Sequence, residues 1–311
     1  MSTIAAAAPR KTRRFRGPIG WYRDPWRKPR VLAAATWLYL VWSLVPVGIA
    51  IMFSFNNGRS RSSWQGFSTM WYVGHDLPGG AYSLLTSPTL KLALAQTMKL
   101  AIITTLVAVP LGFTFALGID RWHGRPASVA NFGMLFSFVM PELIIGVALF
   151  FVFAMVLKNV PSGTWQQSMG LICFQMSYPV IVIRARLLSI GRQYEEAGMD
   201  LGATATQSVR RVLLPMLWPA IFASAVLVFA DCIDDFVIVA QLRGPATTDT
   251  ISVKLYSGYR SAPTPAYNAM ATLMLVVTLT AMFIGVLAFS RIAKKRGADR
   301  SQAMESFALE M

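Results

Sequence analysis

The chain has 311 residues, of which 55% are hydrophobic and only 14% are charged, and its mean hydropathy is +0.50. Soluble domains are about 45–50% apolar and about 25% charged, so the composition excludes an ordinary soluble core and predicts a polytopic membrane protein. The net charge of +15 does not indicate nucleic-acid binding, because the basic residues concentrate towards the two ends and no nucleic-acid motif is present.

Six apolar segments follow one another along the chain, and each is long enough to cross a bilayer as a helix. Helices are expected because they satisfy their own backbone hydrogen bonds in lipid. The approximate segments are 31–55, 92–119, 129–157, 165–187, 216–240 and 267–290. The predicted fold is therefore all-α, with six transmembrane helices in residues 31–290. A basic segment, 1–30, precedes them and a tail, 291–311, follows.

Basic residues in the connecting loops predict the orientation of these spans. If both termini lie on one side, that side holds 21 Lys and Arg residues and the other side holds seven. This asymmetry places both termini and the loop 188–215 in the cytoplasm. Residues 31–55 are longer than the apolar region of a signal peptide and lack a small-residue cleavage site, so they are predicted to be an uncut first span.

The third apolar segment contains a carboxylate, Glu142, directly after Pro141. Acidic residues inside spans are costly and mark functional sites by default. Glu142 is therefore predicted either to line a polar pathway or to bond to a backbone that is kinked at Pro141.

The loop between the fourth and fifth spans has the features of a short exposed helix. Glu195, Glu196 and Asp200 come early, and Arg210 and Arg211 come late, which is the order that suits a helix dipole. Its small residues leave a bare surface where another backbone could approach. They are Ala197, Gly198, Gly202 and Ala203. A solvated connector and a docking helix are the two interpretations.

Three acids fall near the end of the fifth apolar segment. Asp231, Asp234 and Asp235 have the spacing of one helix face, about 24–30 Å from the cytoplasmic start of the span. Clustered carboxylates in a low dielectric repel one another, so they stay ionised together only if a nearby cation compensates their charge. Arg243 and Arg260 are the nearest basic residues, and a cationic substrate is the other source. Alternatively, the helix ends early and the acids face external water.

The cytoplasmic loop resembles the signature of the inner-membrane permeases of binding-protein-dependent ABC importers. That signature is Glu-Ala-Ala, three residues, Gly, nine residues, and then Ile-x-Leu-Pro. The matching residues are Glu196-Ala197-Gly198, then Gly202, then Val212-Leu213-Leu214-Pro215. Gly198 replaces the second alanine, and because glycine inside a helix costs about 1 kcal/mol, a locally looser helix is expected.

The resemblance implies a type I ABC importer permease fold in a bacterial inner membrane, with a coupling helix at about 191–207 that fits a cytoplasmic ATPase. Glu196 would lie closest to the ATPase, and Gly202 would lie at the turn. The implied coupling residues are Glu195, Glu196, Ala197, Gly198, Asp200, Leu201, Gly202, Ala203 and Pro215.

The same resemblance implies several partners. They are two copies of the ATPase, a second permease that is identical or homologous, an external substrate-binding protein, and membrane lipid. The chain has no phosphate-binding Gly-x-x-x-x-Gly-Lys-Ser/Thr loop, so it is not expected to be an enzyme. ATP and Mg would be bound by the ATPase, and no cofactor is expected in this chain.

The segments Asp234-Asp235-Phe236, Gly244-Pro245, Lys254-Leu255-Tyr256-Ser257 and Asn268–Leu273 resemble the spermidine/putrescine branch of these permeases. A polyamine is a flexible polycation, which suits acids flanked by aromatic rings. The implied substrate pathway comprises Glu142, Asp231, Asp234, Asp235, Phe236 and Tyr178.

Two alternatives to polyamine transport remain open. Similar permeases carry opines, phosphonates or other small solutes. An intramembrane aspartyl protease, in which two carboxyls share a proton, is the alternative from another class of function, although the aspartates here are predicted to lie on one helix.

Overall fold

A computed structural model describes residues 30–60, 63–74, 83–122, 124–261 and 264–309. In these residues the secondary structure is helical, apart from an isolated bridge between Asn56 and Phe67. The predicted basic segment 1–30 lies outside the described residues except for Arg30, where the first helix begins.

Thirteen α-helices are numbered here in chain order within the described residues. They are α1 Arg30–Ser54, α2 Met70–Val73, α3 Pro88–Arg121, α4 Arg125–Val139, α5 Glu142–Met155, α6 Thr164–Gln175, α7 Ser177–Ile190, α8 Gln193–Asp200, α9 Ala205–Ser208, α10 Leu214–Asp234, α11 Val237–Gln241, α12 Ile251–Ser261 and α13 Pro265–Leu309. A π-helical turn, Val209–Leu213, joins α9 to α10, and a 3₁₀ turn, Ala246–Thr248, precedes α12.

The chain divides into two compact units, Met1–Ala50 and Ile51–Met311. The described part of the first unit is the helix α1 up to Ala50, whose apolar side chains are mostly exposed, as expected for a helix that faces lipid. The second unit contains the last turn of α1 and all the other helices.

Five helical segments in the described residues are long and apolar enough to cross a membrane. They are Val31–Ser54, Pro88–Arg121, Thr164–Ile190, Ala205–Asp234 and Pro265–Leu287. The pair α4 and α5 passes the same test together but is bent by 110°. Counting the bent pair as one span gives the six predicted crossings.

The bend corrects the prediction of a continuous third span over 129–157. Met140 and Pro141 are both extended, with ψ angles of 138° and 128°. Proline has no N–H to donate, and its ring disfavours a helical conformation in the residue before it. Glu142 is therefore the first residue of α5 and does not lie in the middle of a continuous helix.

The fifth span, predicted over 216–240, also differs. It begins earlier, since helix runs without interruption from Ala205 to Asp234. Pro215 does not interrupt it, because Pro215 lies in the first turn of α10 directly after the wider π turn. The helix then stops at Asp234, because Asp235 is extended with ψ 121°.

The centre of the second unit is formed by α3, α7 and α10, which pack on one another. Small residues allow a close approach: a Cβ atom on Gly112 of α3 would lie only 2.8 Å from the Pro179 ring of α7. Ala101, Ala108 and Ala116 of α3 are fully buried in the same packing. Small interfacial residues are what bring helices together in lipid, where no hydrophobic driving force acts between them.

Candidate coupling and substrate sites

The loop between α7 and α10 folds as two short helices joined by a tight turn. Gly202 has φ +87°, a left-handed conformation that favours glycine, and it lies at the turn as predicted. Thr204 then caps α9, because its hydroxyl accepts from the Gln207 N–H while the Gln207 side chain accepts from the Thr204 N–H. The turn and cap fix the direction in which α8 projects.

Two arginine contacts attach α8 to the end of α3. The Arg121 guanidinium donates to the carboxylate of Glu195, which is only 4% exposed. Arg192 Nη2 donates to the backbone oxygen of Asp120 at 2.6 Å. Glu195 was predicted as a docking residue, but it faces inward and holds the loop in place. Its neighbour Glu196 is exposed.

The outer surface of the loop is unexpectedly apolar. Leu201 is 91% exposed, and Tyr194 and Met199 are nearly half exposed. Ala197 and Asp200 are also exposed, whereas Ala203 is half-buried. Only Leu201 of the three large apolar residues was among the predicted coupling residues. Tyr194 and Met199 were missed, and their signal was the presence of bulky apolar residues in a polar loop.

The glycine that departs from the family signature lies at a close contact. A Cβ atom on Gly198 would come within 3.2 Å of Ser208 Oγ, and that hydroxyl donates to the Glu195 backbone oxygen at 3.2 Å. The expectation of a looser helix at Gly198 considered only local propensity. The structure shows that α8 packs at Gly198 against Ser208, the last residue of α9.

Arg121→Ala is expected to destabilise the protein by about 1–3 kcal/mol, because it leaves the buried Glu195 carboxylate without its ion-pair partner. The measurement is the thermal unfolding midpoint of the purified transporter complex. Arg125→Ala removes a nearby exposed guanidinium and serves as the control. Equal midpoints for the two variants would show that the Arg121–Glu195 pair does not anchor the loop.

A second cluster of polar groups forms where the breaks after α4 and α10 meet. Asp235 is 6% exposed, and its Oδ1 accepts from the Val239 N–H at 3.2 Å. The Glu142 carboxyl lies beside it. Two carboxyls this close coexist only if they share a proton or if a cation lies between them.

Asp231 lies near the same carboxyls, and it is bound by a residue that sequence reasoning missed. Gln175 Nε2 donates to Asp231 Oδ2 at 2.5 Å, and Gln175 is completely buried. Its Oε1 has no partner within the described residues. The sequence did contain a signal for Gln175, namely a polar residue within the predicted apolar segment 165–187. Polar residues inside spans are costly and therefore indicate a functional or structural role.

Tyr178 borders this cluster. Its ring packs edge-on against Phe138 and Phe174, with centroids 5.6 and 6.2 Å away, and it lies near the carboxyls of Asp231, Glu142 and Asp235. The structure therefore brings together four of the predicted pathway residues. The other two, Asp234 and Phe236, line a separate cavity.

The prediction that the three aspartates share one helix face is wrong, because Asp235 follows the end of α10 and is not helical. The alternative that all three face external water is wrong for Asp235, which is buried. Breaking the helix at Asp235 turns this carboxyl towards Glu142 of α5, so the carboxyls of the cluster come from two spans.

Neither predicted counter-charge reaches these acids in the part of the chain that is described. Arg243 binds Asp249 through two hydrogen bonds of 2.6 and 2.7 Å, and Lys254 Nζ lies 2.9 Å from the same carboxylate. Burial would raise the pKa of Asp249, but the bonds from Arg243 and Lys254 outweigh it and lower that pKa. Arg260 contacts Tyr256.

A bundle of membrane-crossing helices with an anchored helix at one end and carboxyls buried between two broken spans is the architecture of a solute permease. Residues 108–296 match the family described as binding-protein-dependent transport system inner membrane component. The chain belongs to this family.

Curated relatives match over nearly the whole chain. The putrescine transport system permease protein PotI of Escherichia coli strain K12 is 31% identical over 288 residues, covering 90% of this chain and 96% of that protein. The spermidine/putrescine transport system permease protein PotC of Shigella flexneri is 29% identical over 256 residues, covering 82% of this chain and 92% of that protein.

Solved structures of ABC importers share the fold. A chain of a bacterial ABC transporter that imports the acidic polysaccharide alginate has a TM-score of 0.62 at 19% identity, covering 82% of this chain and 94% of that one. A chain of the MetNI methionine ABC transporter has a TM-score of 0.53 at 16% identity, covering 64% and 91%. The predicted ABC importer permease fold is confirmed.

Proposed function

We propose that this chain is the permease subunit of an ATP-driven polyamine importer and forms the translocation pathway with a second permease, either a copy of itself or a homologue. The observation that carries the proposal is the 31% identity to a putrescine permease over 90% of the chain. The buried carboxyl cluster supports it, because a polyamine supplies the positive charge that the cluster lacks.

Two copies of a cytoplasmic ATPase drive transport in this proposal, and they bind ATP and Mg. Their contact with the chain is α8, through the exposed Glu196, Ala197, Asp200 and Leu201 and the turn at Gly202. When the ATPases close, they move α8, and the anchor between Glu195 and Arg121 transmits that movement to α3. The spans then expose the pathway to one side of the membrane and afterwards to the other.

The substrate reaches the pathway from an external binding protein, on the side opposite α8. This assigns the chain to a bacterial inner membrane with both termini in the cytoplasm, in agreement with the 21 to 7 distribution of basic residues. In the lipid-facing parts of the spans, exposed apolar side chains contact membrane lipid.

The carboxyl cluster favours a cation over the other solutes carried by similar permeases. A phosphonate is an anion and would be repelled by Glu142, Asp231 and Asp235, and an opine carries carboxylates of its own. Since like charges brought together cost several kcal/mol, a pathway lined by these acids discriminates against both.

The contact between Glu142 and Asp235 meets one requirement of an aspartyl protease, namely two adjacent carboxyls that can share a proton. Membership of a transport family favours the permease. A protease would act without an ATPase, whereas the permease requires one.

Uptake by cells tests the proposal directly. A strain lacking its own polyamine importers is given this chain with its neighbouring permease, ATPase and binding-protein genes, and the uptake of radiolabelled putrescine is measured. ATP-dependent uptake that unlabelled spermidine competes away is expected. Uptake that is competed away by an opine or a phosphonate, but by neither polyamine, would contradict the substrate class.

A further inference from the structure

Residues 55–60 and 63–74, here called the aromatic segment, are organised by one asparagine. Asn56 is completely buried, and its Nδ2 donates to the backbone oxygens of Ser60 and Ser63 at 3.0 and 3.2 Å. Its Oδ1 accepts from the Gln65 N–H at 2.7 Å, and its backbone oxygen accepts from Trp71 Nε1 at 2.8 Å. These bonds close the segment on itself, so the side chains on its surface have fixed positions.

The aromatic segment is attached to the last turn of α1. The Tyr72 hydroxyl donates to the hydroxyl of Ser54, the last residue of that helix, at 2.7 Å. The Ser68 N–H donates to the backbone oxygen of Phe55 at 2.7 Å, so the segment folds back directly after the helix end. Because Val31–Ser54 is long and apolar enough to cross a membrane, its end marks a boundary of the hydrocarbon region.

A second span places the aromatic segment at the same boundary. The Trp71 side chain is completely buried and packs with Ala266 and Ala269, in the first two turns of α13. The membrane-crossing part of α13 is Pro265–Leu287, so the start of that span lies beside Trp71. The chain continues from the segment to the start of α3, whereas α8 is attached to the other end of α3. The segment therefore lies on the membrane side opposite α8.

Two aromatic rings of the segment are exposed. Phe67 is 72% exposed and Trp64 is 45% exposed. The Phe67 ring stacks on Phe55 with centroids 5.3 Å apart, and the Trp64 ring packs edge-on against Phe53 of α1 at 6.3 Å. Each ring is held by an aromatic neighbour and is open on its other side. The sequence of residues 63–74 contains no charged residue, so the surface around the rings is apolar and neutral.

Lipid and a docked binding protein are the two environments that could cover these rings. Continuity with the lipid-facing surface of α1 favours lipid, because Met52, in the same turn as Phe53, is 47% exposed. Tryptophan and other aromatic residues are enriched where the acyl region meets water, since their rings are apolar and their edges can stay hydrated. A soluble partner that dissociates would leave both rings in water, which is unfavourable.

We propose that Trp64 and Phe67 insert into the boundary between headgroups and acyl chains of the external leaflet, as an anchor for the aromatic segment. Through Tyr72 and Trp71 this anchor fixes the depth of the external ends of α1 and α13. The partner of the two rings is phospholipid, and the binding protein does not contact them. The inference goes beyond the proposed function and holds for any transported solute.

Photocrosslinking to lipid tests the anchor. The purified complex of permeases and ATPases is placed in nanodiscs of radiolabelled phosphatidylethanolamine and phosphatidylglycerol. A photoreactive amino acid replaces Phe67 or Trp64, and a control replaces Leu201, which is 91% exposed on the opposite side. After irradiation, the lipid label on this chain is expected to be about fivefold higher or more for positions 67 and 64 than for position 201. An excess of binding protein is expected to leave this label unchanged.

Labelling at position 67 or 64 that is no higher than at position 201 would overturn the anchor. A crosslink from position 67 to the binding protein, with a matching loss of lipid label, would assign the surface to protein docking and would also overturn it. Size-exclusion chromatography confirms that each variant assembles before it is irradiated. Putrescine enters none of these measurements, so their outcome is separate from success or failure of the proposed function.

Discussion

Glu196→Lys is expected to reduce substrate-stimulated ATP hydrolysis by the assembled transporter to less than about a tenth of the wild-type rate, while membrane insertion stays normal. Glu196 is exposed on α8, one residue after the buried Glu195. Reversing a charge at a docking surface costs several kcal/mol when it meets like charge, and it leaves the internal anchor to Arg121 unchanged. The measurement is ATPase activity in proteoliposomes with binding protein and putrescine.

Two control variants make the Glu196 result specific. Thr247→Lys places the same side chain on an exposed turn distant in sequence from the coupling loop and should hydrolyse ATP as wild type does. Glu196→Gln removes the charge without reversing it and should retain an intermediate rate. Normal stimulated hydrolysis in Glu196→Lys would remove the docking role of α8.

Asp235→Asn is expected to lower putrescine uptake about tenfold or more for each assembled complex. The asparagine retains an oxygen to accept from the Val239 N–H, so the local backbone keeps its hydrogen bond. The substitution removes the negative charge, and a hydrogen bond to a charged group is worth about 1.5–3 kcal/mol. Initial uptake rates, normalised to the amount of complex recovered by size-exclusion chromatography, measure the effect.

Asp249→Asn is the matched comparison, since Asp249 is also a buried aspartate. Its carboxylate binds Arg243 and Lys254, and its loss should lower the amount of complex recovered more than the uptake by each complex. If Asp235→Asn gave the same pattern, with normal uptake by each complex, the carboxyl cluster would be structural and would not belong to the pathway.

The sequence was sufficient for the features that depend on composition and local geometry. Six apolar segments correspond to five crossing helices and one bent pair, and Gly202 lies at the loop turn, where its motif position put it, with a left-handed φ of +87°. The length of an apolar segment and the φ preference of glycine are local properties, so the sequence alone is enough to predict them.

Features that depend on partners distant in the chain were missed. Glu195 is buried and bound by Arg121, which lies 74 residues away, and the sequence does not show this contact. Asp235 follows the end of α10 and lies beside Glu142. Glu142 is the first residue of α5, because Pro141 interrupts the helix before it. Pro141 indicated the break before Glu142 in the sequence, but no local signal indicated the break after Asp234.

Site-specific photocrosslinking tests the central claim, that a separate ATPase binds this chain at α8 and the turn that follows it. A photoreactive amino acid replaces Leu201, which is 91% exposed, and a control replaces Phe67, which is 72% exposed on the segment before α2. The account predicts that the residue at 201 crosslinks to the ATPase subunit and that the residue at 67 does not. Crosslinks to the ATPase from position 67, or none from position 201 in the assembled transporter, would contradict it.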